Sequence, residues 1–70
     1  MLYAIVDSSE EIIEETVEAS PSMAWRTLMV LPLLPKEISA AIYGLSIEES
    51  TSKLIDAGYR CARVLVQIVR

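Results

Sequence analysis

Two helical phases run through the chain. Leu2, Ile5, Val6, Ser9, Ile12, Ile13, Thr16 and Val17 recur at i, i+3, i+4 spacing, the repeat of one helix face. Asp7, Glu10, Glu11, Glu14, Glu15 and Glu18 occupy the other side. The spacing predicts a helix over about residues 2–19. Near the other end, Ser52, Lys53, Asp56, Arg60, Arg63, Gln67 and Arg70 share one side with Glu49. Ile47, Leu54, Ile55, Cys61, Ala62, Leu65, Ile68 and Val69 line the opposite side. That phase passes through Gly58 without slipping and predicts a long C-terminal helix over about 47–69.

Between them the punctuation is clear. Ser20-Pro21 reads as an N-cap followed by proline at the first helical position, where its missing N–H costs nothing. The helix it opens, about 21–31, is polar only at Ser22, Arg26 and Thr27. A helix apolar nearly all round belongs in a bundle centre or at an interface. Leu31-Pro32-Leu33-Leu34-Pro35 cannot continue it, because each proline removes a donor and disfavours α geometry in the residue before it. Leu33 and Leu34 in that connector are either tucked beneath the fold or exposed as an anchor. A short third helix, about 35–43, ends at Gly44, a residue suited to the left-handed C′ position. Ser46 with Glu49 then forms a capping box for the long helix.

Together these features predict an all-α fold, with three shorter helices packed on a long C-terminal one in a single domain spanning 1–70. A small α+β fold with strands at both termini competes with it. A capping box of Ser8 and Glu11 would start the first helix at residue 9 and free Leu2 to Val6 as a strand. Val64, Val66 and Ile68 alternate with Arg63, Leu65 and Gln67, so a final strand after Gly58 would pair with Leu2 to Val6. A strand has no reason to keep the polar phase set upstream of Gly58, which favours the helices.

Composition adds a surplus of apolar surface. The chain has 70 residues, 53% of them hydrophobic, and a mean hydropathy of +0.42. A chain of this size buries only about 60% of the surface that it exposes when unfolded. Association with another copy or a protein partner is the natural outlet. Met23, Trp25 and Met29, with Leu33 and Leu34, are the candidate interface, since methionine adapts its shape and tryptophan is enriched at hot spots.

Charge is divided along the chain. The net charge is −4, which weighs against nucleic-acid binding. The first twenty residues hold six acidic residues and no basic one; the last twelve hold Arg60, Arg63 and Arg70 and no acid. Glu11, Glu14, Glu15 and Glu18 facing those arginines would make a charged pairing surface, either within the fold or between subunits.

Candidate chemistry is thin. There is no histidine, which removes the usual general base and the commonest metal ligand. Gly44 and Gly58 are the only glycines, so no phosphate-cradling loop exists. Neighbouring glutamates on a solvated face lack the turn geometry of a calcium loop. No catalytic residue, cofactor or metal is expected. Cys61, the single cysteine, forbids an internal disulfide and suits a reducing compartment. Met1 to Val6 is apolar but acidic residues follow at once, unlike a secretory signal, and no run is long enough to span a bilayer. A cytoplasmic location follows as the expectation.

The function expected is a small non-catalytic protein–protein interaction module that self-associates, with a regulatory or assembly role. Two alternatives remain. Segment 37–55 has the outline of a helix-turn-helix, with Ala40, Gly44 and Leu45-Ser46 at its first helix and turn. Its outward face, however, carries Glu48, Glu49 and Asp56 against Lys53. An acidic inhibitor would instead present the glutamates of the first helix to a nucleic-acid-binding surface of a target protein.

Overall fold

The computed structural model describes residues 1–31 and 33–65. It overturns the all-α expectation and with it the helical bundle. The chain is a small α+β fold built as β1 (Leu2–Val6), β2 (Ile12–Glu18), α1 (Pro21–Val30), α2 (Lys36–Ile42), α3 (Ile47–Asp56) and β3 (Arg60–Val64). The sheet is antiparallel, in the order β2-β1-β3. The alternative with terminal strands is the one observed, including the pairing of Leu2–Val6 with the segment after Gly58.

The first predicted helix is a hairpin. Ala4, Ile5 and Val6 are buried in succession, as a central strand requires and a one-faced helix forbids. Asp7 makes the reversal. Its Oδ1 accepts from the N–H groups of Ser9 (2.9 Å) and Glu11 (3.1 Å), and its carbonyl accepts from Glu10 N–H (3.0 Å). An aspartate bonding its own downstream backbone is a turn former, which outcompetes the Ser8–Glu11 box. Glu10 sits at φ 63, the one positive-φ non-glycine among the described residues.

β2 carries a wide bulge. Ile5 pairs with Ile13, but Tyr3 pairs with Glu18. Four residues of β2 therefore stand against Ala4 alone. Thr16 closes the gap. Fully buried, its Oγ1 accepts the Ile5 N–H (2.8 Å) and donates to the Ile13 carbonyl (2.6 Å). A side chain thus replaces the ladder bond that the bulge removes.

The long helix ends early, and the reason is Gly58. Gly58 N–H donates to the Ile55 carbonyl and Tyr59 N–H to that of Leu54, each at 3.0 Å. These are the two bonds of a Schellman motif, with Gly58 as its left-handed residue at φ 104. A Cβ there would lie 2.9 Å from Ser8 Cβ, so the hairpin loop also demands glycine. The helix of 47–69 is therefore a ten-residue helix, a turn and a strand over the described residues; its portion from 66 to 69 lies outside them.

The other boundaries follow the sequence reading closely. Ser20 Oγ accepts from Met23 N–H, Gly44 adopts φ 79, and Ser46 Oγ accepts from Glu49 N–H while donating to Glu49 Oε1. One core unites the layers. Ile5, Ala24, Trp25, Leu28 and Leu54 form its buried centre, ringed by Ile13, Ile38, Tyr59 and Cys61 among others. Ile13 and Cys61 are the cross-strand partners of Ile5, so all three share the face under the helices. Leu2, Ala4, Val6, Ala62 and Val64 take the opposite face.

Candidate functional site

The five apolar residues proposed as an interface do not form one exposed patch. Trp25 is only 8% exposed, at the centre of the core, and Met29, Leu33 and Leu34 pack half-buried against it. The connector leucines are thus tucked under the fold. Met23, half exposed on the outer side of α1, is the one member largely open to solvent.

The charged residues divide between the two sheet edges. Glu11, Glu14 and Glu15 are exposed along β2 and its approach. Glu18 is half-buried, and its Oε2 accepts from Thr27 Oγ1 at 2.8 Å, tying the end of β2 to α1. Arg60 and Arg63 are exposed on β3, the other edge, with β1 between the two sets. Strands lie about 4.8 Å apart, so the edges stand roughly 10 Å from one another. Arg60 instead reaches over the end of the sheet to Glu10, with Nη2 3.0 Å and Nε 3.2 Å from Oε2. Both side chains are more than half exposed, which makes this a weak clasp on the hairpin loop. Arg70 lies outside the described residues.

The most exposed apolar residues lie outside the proposed interface set. Leu65, directly after β3, is 92% exposed, and Met1 beside it is largely open. With Leu2, Arg63 and Val64 they line an open hollow of about 370 Å³ at the end of the β1–β3 ladder. A second cleft, about 350 Å³, lies among the helices, lined in part by Met29, Ile42, Tyr43, Leu45, Ile47 and Ser50. Tyr43 stands almost free at its rim. Its place beside Gly44, at a helix end, was the available signal.

Backbone direction matters as much as side chains. Because Ile5 N–H is turned towards Thr16 on β2, the alternate residues Leu2, Ala4 and Val6 turn their backbone groups towards β3. Their partners Val64, Ala62 and Arg60 bond inward. The N–H and C=O groups of Cys61 and Arg63 therefore point out from the sheet edge.

Titration and metal chemistry add little. Burial raises the Cys61 thiol above its ordinary value of 9.0, because desolvation penalises the thiolate. A thiol shifted that way is a poorer nucleophile near neutrality. Among the described residues, no three of His, Cys, Asp and Glu converge as a metal site. No helix of the described residues is long and apolar enough to cross a membrane. α2 and α3 do form a helix pair about Gly44, with Ser50 buried where a helix-turn-helix normally seats a branched apolar residue. The exposed side of α3 presents Glu48, Glu49 and Asp56 with Lys53.

No known protein family, curated protein or solved structure matches the chain.

Proposed function

We propose that this protein is a small non-catalytic interaction module that self-associates, acting in regulation or assembly. The observation that carries this reading is the placement of its apolar surplus. Leu65, Met1, Val30 and Tyr43 stand largely in solvent although the core leaves Thr16 and Ser50 buried. A chain that spends buried volume on hydroxyls while exposing leucine and methionine gains from covering those side chains with another protein surface. Cys61, with no second cysteine to pair with, suits a reducing compartment such as the cytoplasm. Sedimentation or light scattering across micromolar to millimolar protein tests the reading. A mass that rises with concentration supports it, and a strict monomer throughout removes it.

The acidic inhibitor remains a second reading, favoured by one observation: Glu11, Glu14 and Glu15 line one exposed edge without a basic partner among the described residues. Reversing these three to lysine should then abolish capture of a basic target while leaving the circular dichroism unchanged. Undiminished capture rules it out.

A further inference from the structure

We propose that two copies join through β3, edge to edge and antiparallel, extending the sheet to six strands about a two-fold axis at Ala62. The inference rests on the self-association reading and names the surface that performs it.

An unprotected sheet edge is a template for another strand, and proteins normally blunt theirs. The β2 edge is blunted twice. Its bulge breaks the regular backbone, and Glu14 and Glu15 would meet like charges in the self-pairing registers centred on either of them or between them. Among the described residues the β3 edge has no bulge, and its charges, Arg60 and Arg63, leave one register free of a like-charge pair. Its register with β1 runs without a shift from Leu2↔Val64 to Val6↔Arg60, and no proline or glycine interrupts it. It also offers outward-pointing N–H and C=O groups at Cys61 and Arg63.

Those outward groups restrict which register two β3 strands adopt, because an antiparallel ladder bonds outward residues to outward residues. Pairing Arg63 with itself sets like charges directly opposite, which is unfavourable. Pairing Cys61 with itself drives Val64 against Gly58 of the second copy and wastes the end of the strand. The register centred on Ala62 avoids both. Cys61 then exchanges two bonds with Arg63 of the second copy, and the symmetric pair supplies two more. Arg60 lies opposite Val64, and Arg63 opposite Cys61, so no arginine opposes an arginine. Leu65, the most exposed large apolar side chain described, comes opposite Tyr59 of the second copy, itself half-buried against the core. The exposure of Leu65 thereby finds a purpose. Four backbone bonds and two apolar pairs make a junction below the roughly 800 Å² per partner of a standard interface, so the dimer should dissociate on dilution.

Ala62 against its own copy is a non-hydrogen-bonded pair, with Cα atoms about 4.5 Å apart, within the range a disulfide spans. The test uses the full chain in a Cys61→Ser background. Ala62→Cys should give a covalent dimer under mild oxidation, whereas Glu15→Cys on the other edge should not. Separately, Leu65→Glu should weaken dimerisation at least tenfold, and Met23→Glu on α1 should leave it unchanged. Leu65 is solvent-exposed in the monomer, so the fold survives its replacement, as circular dichroism verifies. A dimer insensitive to Leu65→Glu and not trapped by Ala62→Cys overturns the β3 junction but leaves self-association standing. A wild-type chain that stays monomeric overturns both.

Discussion

Replacing Thr16 with valine keeps the β-branched shape and nearly the same volume, and it deletes one oxygen. By hydrophobicity and strand preference alone the change should stabilise. The structure requires the opposite. The Thr16 hydroxyl accepts the N–H of fully buried Ile5 at 2.8 Å and donates to the Ile13 carbonyl at 2.6 Å. Valine leaves the Ile5 N–H without a partner in the centre of the sheet, a penalty of about 1–3 kcal/mol. The Ile13 carbonyl belongs to a half-buried residue and recovers some hydration, so its loss is smaller. A net destabilisation of about 2–3 kcal/mol follows. For a domain of this size each kcal/mol lowers Tm by about 4–8 °C, so the fall should be of order 10–20 °C. Thr16→Ser is the control: it keeps the oxygen, loses one methyl, and should cost only about 1 kcal/mol. Urea denaturation followed by circular dichroism and Trp25 fluorescence gives the order wild type, then serine, then valine. Valine equal to wild type, or more stable than serine, refutes the account of the bulge.

Three further outcomes follow from the same geometry. Gly58→Ala must hold alanine at φ 104 and force its Cβ to 2.9 Å from Ser8 Cβ, which should cost more than the roughly 1 kcal/mol of a left-handed residue alone. Adding Ser8→Gly should restore the steric part but not the rest, a non-additivity that denaturation of the double variant reads directly. Arg60→Met should cost under about 1 kcal/mol, because the Glu10 clasp is exposed, and high salt should shrink the difference further. Cys61 links stability to pH. Its thiol titrates above 9.0 when folded, so the unfolded chain releases the proton first and stability falls as pH rises through 9.0 and beyond. Cys61→Ser should flatten that limb of a Tm-versus-pH curve; an unchanged slope contradicts the assignment.

The helical middle of the chain was legible because its signals are local. Ser20-Pro21, Gly44 and Ser46 with Glu49 each satisfy a helix end by chemistry within a few residues, and each does so in the structure. The sheet was harder to read, since what decides it is not local. Leu2 to Val17 fit one helix face, but the same residues also fit two strands once Asp7 reverses the chain between them. Gly58 interrupts no hydrophobic phase, yet its left-handed backbone closes the motif that ends the helix, and the approach of Ser8, fifty residues away in sequence, leaves no room for a Cβ there. Thr16 reads as one more member of the first helix face until the bulge places its hydroxyl beneath Ile5 N–H. The proposed apolar interface met the same difficulty. Trp25 and Met29 are apolar enough for a binding surface, but the sheet beneath α1 takes them into the core, leaving Leu65 and Tyr43 outside.

Amide hydrogen exchange, followed residue by residue as protein concentration rises, tests the self-associating edge most directly. The N–H groups of Ala62 and Val64 face β1 and should be protected at every concentration. Those of Cys61 and Arg63 face outward, so they should exchange freely in dilute protein and gain protection as copies meet. Free exchange at Cys61 and Arg63 under conditions where the protein is demonstrably dimeric would contradict the edge-to-edge account.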